Sequence, residues 1–163
     1  MSARATLDPA SDLDKATHRR LGVDLFNHAW TLIEKADRTE AEIDEMIHAA
    51  HASRYHWSKA GTTVNLGRGE WQCARVYSVL ERGEAAVWHA GRCVAYSEAA
   101  AKAGETESWD LPGAYEAMAR ALAVAGDQTA AEAWRDKARA AVATIEDPDD
   151  RAQIEQDIAT LPL

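Results

Sequence analysis

The sequence predicts an all-α fold, and three features of its patterning and composition lead to that prediction. Apolar residues between positions 114 and 138 recur three or four residues apart, break at Gly126 and Asp127, and then resume. This is the pattern of two amphipathic helices joined by a tight turn. The chain has only four prolines and few runs that alternate apolar with polar residues, so little of it suits a β-sheet. At 163 residues and 47% hydrophobic content, it is long enough to bury one sizeable core.

The first two helices are predicted between residues 14 and 59. The first runs from Asp14 to Ala36 and carries leucines along one stripe. The second begins at a cap, either Asp37 or Thr39, and ends near Lys59. Glutamates occupy its first turn, where the positive end of the helix dipole favours them.

The third and fourth helices follow a break at residues 61–63. The third is predicted from Val64 to Arg82, and Gly83 then turns the chain. The fourth runs from Ala85 to Ala103, and Gly104 ends it.

The last three helices begin after a polar linker, residues 105–108. Pro112 suits the first turn of the fifth helix, because proline lacks the amide hydrogen that such a turn leaves unused. The sixth helix follows the turn at Gly126 and Asp127. Asp147 and Pro148 start a short seventh helix. One side of that helix carries Ile154, Ile158 and Leu161.

The three pairs of helices are related by an internal repeat of 45 residues. Two sets of identical residues recur at this spacing: Ala29, Ala74 and Ala119, and Leu21, Leu66 and Leu111. The chain therefore holds three copies of one helical hairpin. About three such units are normally needed to bury a continuous core.

The small residues at matching positions, the glycine at the turn and the large Trp134 near the middle of the sixth helix resemble a tetratricopeptide repeat. The resemblance implies an α-α superhelix of three tetratricopeptide-like hairpins, with the seventh helix capping the open end. The usual unit of that family is about 34 residues, so longer helices or linkers are expected here. The segments His48–Trp57 and Asn65–Gln72 are also similar to bacterial proteins of unassigned function.

The same resemblance implies a binding groove lined by the first helix of each hairpin. In the family pattern the residue after the small one faces inward, which selects Trp30, Arg75 and Arg120. Two further candidates lie about a turn earlier on the third helix, and one lies four residues before Arg120. The complete set of candidate groove residues is Trp30, Arg68, Trp71, Arg75, Glu116 and Arg120.

These residues predict a non-catalytic module that binds a protein or peptide, or acts as a scaffold, with no catalytic residue and no cofactor. Guanidinium groups offer paired donors to carboxylates, so we hypothesise that Arg75 and Arg120 bind an acidic peptide or a peptide C-terminus. The alternative is that both arginines only satisfy acidic neighbours in a chain with excess negative charge.

A polar stripe on the second helix predicts a different kind of site. The stripe consists of Asp44, His48, His51 and Tyr55, at positions where the other hairpins are mostly apolar. Across the first hairpin, His28 is expected level with His48, and Asp24 lies one turn away. Histidine and carboxylate bind zinc and similar transition metals. The metal ligands in this alternative, a metal-binding protein or metalloenzyme, are Asp24, His28, His48 and His51.

Two other interpretations of the stripe stay open at this point. The histidines can be partly buried groups that are hydrogen bonded at a hairpin interface, because buried polar groups require partners. Alternatively, His48 with Asp44 could act in acid-base catalysis, although no nucleophile motif accompanies them.

Cys73 and Cys93 lie ten residues on either side of Gly83, at the same height of one antiparallel hairpin. Both occupy apolar positions of their helices, so we expect them to pack as small hydrophobic residues. A disulfide or a metal site is the alternative, and a cytosolic protein rarely keeps a disulfide.

The formal net charge of −9 argues against nucleic acid and anionic membranes as partners, since both require a positive surface. A protein or peptide partner, acidic in our hypothesis, is expected, and homo-oligomerisation stays open. The N-terminal residues lack the apolar core of a signal peptide, so we expect a cytoplasmic protein. Residues 1–12 are expected to form a tail, and residues 13–163 a single domain.

Overall fold

The computed structural model describes residues 12–163, which form seven helices and no strand. The helices are α1 (Lys15–Ile33), α2 (Glu40–Ala60), α3 (Thr63–Val79), α4 (Gly83–Ala103), α5 (Asp110–Val124), α6 (Gln128–Val142) and α7 (Pro148–Ala159). The predicted all-α helical array is confirmed. The tail predicted for residues 1–12 lies, except for its last residue, outside the described part of the chain. Within that part, no helix combines the length and apolar character needed to span a membrane.

Local chemistry fixes most helix ends where the sequence predicts them. The Asp14 side chain accepts from the backbone amide of Thr17 at 2.6 Å and caps α1. Thr39, one of the two predicted caps, forms a capping box with Glu42 at the start of α2. Gly104 ends α4 in the left-handed conformation, with φ of 72°, which glycine adopts without strain.

The turn between α3 and α4 differs from the prediction. The residue with positive φ there is Glu81, at 56°, and Gly83 is the first residue of α4. Gly83 is needed for a different reason, because a Cβ atom at this position would lie 2.5 Å from the Cα of Ala125. The close approach of two backbones explains this glycine better than the turn does.

Consecutive helices pack as three antiparallel hairpins, α1 with α2, α3 with α4 and α5 with α6. In the middle of the array α3 contacts both α1 and α5, so these three helices form an inner layer. The outer helices α2 and α4 make no close backbone contact with each other in the described structure. Side chains alone therefore bridge α2 and α4.

The core of the inner layer follows the predicted repeat. Ala29, Ala74 and Ala119 are all buried, with at most 1% of each residue exposed. The outer layer departs from the repeat at α2. Ala41 and Ala86 are 45 residues apart and occupy matching positions of the repeat, but Ala41 is exposed whereas Ala86 is fully buried. The connection between α1 and α2 is longer than the connections inside the other hairpins, and this shifts the buried face of α2.

The two cysteines are free and buried, as the core-packing prediction requires. Burial raises the pKa of the Cys73 thiol to about 12, and likewise that of Cys93. A thiol held in its protonated form behaves as a small apolar group.

The last helix does more than cover an open end. Ile154 and Ile158 pack it against the ends of α5 and α6. Its last turn also reaches the inner layer, where Asp157 pairs with Arg75 of α3 at 3.1 Å. As a result α7 forms one wall of a cavity on that side of the molecule.

Candidate binding groove

A cavity of about 560 Å³ lies between α1, α3 and α7, and we call it the tryptophan groove after its three indole side chains. Trp30 comes from α1, Trp71 from α3, and Trp109 immediately precedes α5. The apolar part of the lining is completed by aliphatic side chains: Ile33, Val79 and Ile154. The opposite wall is polar and consists of Asp150, Gln153 and Asp157 from α7.

The tryptophans are held in place by their neighbours. The rings of Trp30 and Trp71 contact each other, with centroids 5.3 Å apart and planes inclined at 50°. The guanidinium carbon of Arg68 lies 4.4 Å from the centre of a Trp109 ring, at a distance that favours a cation–π interaction. Arg68 is itself oriented by Asp110, to which it donates two hydrogen bonds of 2.8 and 3.0 Å. Contacts within the chain thus orient the three indole rings.

Beside the groove, two arginines share one buried carboxylate, and we call Arg75, Glu116 and Arg120 the arginine clamp. Arg120 Nε donates to Glu116 at 2.7 Å, and a terminal nitrogen of Arg75 lies 3.5 Å from the other carboxylate oxygen. The Glu116 side chain is only 1% exposed. Burial raises the pKa of Glu116, and the two arginines oppose that rise.

The remaining donors of the clamp hold the last turn of α7. Arg120 donates to the Asp157 carbonyl at 2.7 Å, and to the carbonyl and hydroxyl oxygens of Thr160 at 3.1 and 3.0 Å. The side chains of both Arg75 and Arg120 are 12% exposed. Their contacts match the alternative in which the arginines satisfy neighbours within the chain. An acidic ligand on these two arginines remains a prediction, and it would have to compete with α7.

The six predicted groove residues therefore fall into three places. Trp30, Trp71 and Arg75 line the tryptophan groove. Glu116 and Arg120 belong to the clamp beneath α7, and Arg68 supports Trp109 from the side. The sequence interpretation missed Trp109 and the α7 wall. Trp109 stands outside the periodic part of α5, and only the folding back of α7 brings residues after 148 to the groove.

The charges at the mouth of the groove are mostly negative. Glu34 and Asp150 are exposed, and neither has an ion-pair partner among residues 12–163. Asp157 and Arg75 neutralise each other. A ligand entering the groove meets indole and aliphatic surface with two free carboxylates beside it.

The structure does not bring the predicted metal ligands into one group. Asp24 pairs with Arg20 at 3.5 Å, and His28 lies 2.8 Å from Glu45. His48 is exposed, whereas His51 Nε2 lies 2.9 Å from the hydroxyl of Tyr77. Among the described residues, no three histidine, cysteine or acidic side chains are placed to hold one ion.

The hydrogen bond of His51 belongs to a larger polar network that the sequence interpretation missed. The His51, Tyr77 and His89 rings, from α2, α3 and α4, have centroids 5.2 to 5.8 Å apart. Nδ1 of His89 donates to Glu70 at 2.7 Å, and Arg54 Nε donates to the other oxygen of that carboxylate at 2.9 Å. Burial lowers the pKa of His51, with the nearby histidines adding to the effect and Glu70 opposing it.

Comparison of the chain with protein-family models, curated proteins and solved structures finds no match. The resemblance to tetratricopeptide repeats stays a prediction, because the paired helices are common to several kinds of α-helical array.

Proposed function

We propose that this protein is a non-catalytic binding module that holds a segment of a partner protein in the tryptophan groove. The observation that carries the proposal is the cavity of about 560 Å³ with three indole rings on its walls. Ligand sites are typically concave and apolar with a few polar groups, and tryptophan is enriched among residues that dominate binding energy. Rings already ordered by mutual contact lose little conformational freedom when a ligand binds.

The negative charges at the groove favour a ligand that carries a positive charge. Glu34 and Asp150 lack partners in the described chain, whereas the one arginine of the lining is paired. We therefore expect a segment that inserts a large apolar side chain between the indoles and carries a lysine or arginine beside it. Charge complementarity of this kind contributes mainly to specificity and to the rate of association.

A matched panel of short peptides tests this proposal. Each peptide carries a central leucine, phenylalanine or tryptophan, flanked by lysines in one set and by glutamates in the other. We expect saturable binding for a lysine-flanked peptide and weaker binding for its glutamate-flanked counterpart. Equal affinity of the two sets would contradict the charge argument, and no binding by any peptide would contradict the groove.

Two substitutions locate the binding on the protein. Glu34→Lys changes an exposed charge at the groove and should weaken binding of lysine-flanked peptides by roughly tenfold, which corresponds to ~1.4 kcal/mol. Glu132→Lys makes the same change at an exposed position of α6 and serves as its control. The proposal is wrong if both substitutions weaken binding equally.

We also propose that the helices form a tetratricopeptide-like array and that the protein works in the cytoplasm. The buried alanines that recur every 45 residues in α1, α3 and α5 support a tetratricopeptide-like array. The two free, buried cysteines are consistent with a reducing compartment such as the cytoplasm.

A further inference from the structure

A polar furrow runs between α2 and α4, on the opposite side of α3 from its contacts with the groove. We define the furrow by Arg54 of α2, Glu70 of α3, and Arg92 and Tyr96 of α4. Since α2 and α4 make no close backbone contact in the described structure, side chains span the space between them, and these four lie beside the His51, Tyr77 and His89 rings.

Two arginines converge on one tyrosine in the furrow. Arg54 donates to the Tyr96 hydroxyl oxygen at 3.3 Å, and Arg92 donates to the same oxygen at 2.8 Å. Both guanidinium carbons also lie over the Tyr96 ring, 5.5 and 4.8 Å from its centre. Two like charges thus meet at one phenol oxygen, and the hydroxyl group of a tyrosine can also donate to a further acceptor.

The furrow carries more positive than negative charge. Its one carboxylate, Glu70, has both oxygens engaged, by Arg54 and by His89. Arg92 forms no ion pair within residues 12–163. This local excess of positive charge occurs in a chain whose formal net charge is −9.

The repeat does not require two arginines around one tyrosine. In the third hairpin, Lys137 stands 45 residues after Arg92 and pairs with Glu98 at 3.5 Å, whereas Ala141 stands 45 residues after Tyr96. The third hairpin therefore forms with its corresponding cation paired and with no phenol at the matching position. The second hairpin therefore retains a feature that packing alone does not explain.

We propose that the furrow binds a phosphate-type oxyanion, either free phosphate or a phosphate monoester. An oxyanion at Tyr96 would accept hydrogen bonds from Arg92, from the unused nitrogen of Arg54 and from the phenol. It would also offset the repulsion between the two guanidinium groups. Arginine is well suited to this role because its planar group donates in pairs to phosphate oxygens.

Titration of the full-length protein with inorganic phosphate, and separately with O-phosphoserine, tests the proposal at constant ionic strength. Chloride replaces phosphate in the reference titration. Backbone amide NMR shifts should change saturably around residues 92 and 96, and the melting temperature should rise with phosphate. A response to O-phosphoserine alone would assign the site to monoesters, and a response to both would assign it to phosphate in general.

Substitutions separate a specific site from a general salt effect. Arg92→Gln removes an exposed guanidinium, and Tyr96→Phe removes only the hydroxyl. Each should weaken phosphate binding by roughly tenfold or more, whereas Arg139→Gln, at an exposed arginine of α6, should leave it unchanged. Shifts that do not saturate, or that persist in Arg92→Gln, indicate an adventitious ion only and overturn the proposal. Since none of the four furrow residues lines the tryptophan groove, failure of this proposal leaves the peptide-binding proposal untouched.

Discussion

Two pairs of arginines in this molecule have opposite electrostatic surroundings. In the arginine clamp, Arg75 and Arg120 face Glu116, Asp157 and the carbonyl oxygens at the end of α7. In the polar furrow, Arg54 and Arg92 share a phenol, and within residues 12–163 their one carboxylate partner is Glu70. The clamp is internally compensated and holds the fold together, whereas the furrow keeps an unpaired positive charge. Whether an arginine can serve a ligand depends on its partners more than on its position along a helix.

The largest expected effect concerns the compensated region. Glu116→Ala removes the carboxylate that two arginines share and leaves both partly buried charges without it. We expect a loss of roughly 3 to 5 kcal/mol in the free energy of unfolding, measured by urea denaturation. Glu132→Ala, at an exposed position, should change it by about 0.5 kcal/mol or less. A small effect of Glu116→Ala would mean that the clamp does not stabilise the fold.

A pair of glycine substitutions tests how tightly the furrow is packed. A Cβ atom on Gly69 would lie 2.7 Å from Cδ of Arg54, whereas one on Gly91 would meet only Cε of Met118, at 3.6 Å. Gly69→Ala should therefore displace Arg54 and cost roughly 1 to 3 kcal/mol. Gly91→Ala should be neutral or stabilising by up to about 1 kcal/mol, because alanine favours helix. The free energy of unfolding of both variants is measured by thermal and by urea denaturation. If Gly69→Ala and Gly91→Ala change it by the same amount, the close fit around Arg54 is contradicted.

The cluster of His51, Tyr77 and His89 beside the furrow should also make stability depend on pH, through His51. The pKa of His51 is lowered from 6.5 in the fold, so the unfolded chain binds a proton more readily than the folded one. Stability should then fall as pH decreases through about 6.5, and this loss should be smaller in His51→Gln. Urea denaturation at about pH 7.5 and about pH 5.5 measures the difference. Part of the loss should persist in the variant because the pKa of His56 is lowered in the same direction.

The smallest expected effect is the change in melting temperature when metal ions are removed. The predicted ligands have separate partners, so we expect protein purified without added metal to contain no stoichiometric transition metal. Adding a chelator should leave the melting temperature unchanged. A stoichiometric ion found by elemental analysis would instead support the metal-binding interpretation of Asp24, His28, His48 and His51.

Structural features that depend on residues close together in the chain could be predicted from the sequence. The cap at Thr39, the helix end at Gly104 and the buried alanines follow from local chemistry and from a period of 45 residues. The contacts that define the sites join distant parts of the chain. Arg75 meets Asp157 only because α7 folds back, and Arg54 meets Tyr96 across 42 residues. Helical periodicity identifies the face on which a residue lies, but it does not identify the residue opposite.

The proposed binding function is tested most directly by the indole NMR signals of the six tryptophans. Addition of a lysine-flanked peptide should shift the signals of Trp30, Trp71 and Trp109 along a saturable curve. The signals of Trp57, Trp88 and Trp134, which do not line the groove, should shift much less. Shifts confined to Trp88, which is 69% exposed and the most exposed large apolar side chain of residues 12–163, would place binding elsewhere and contradict the account.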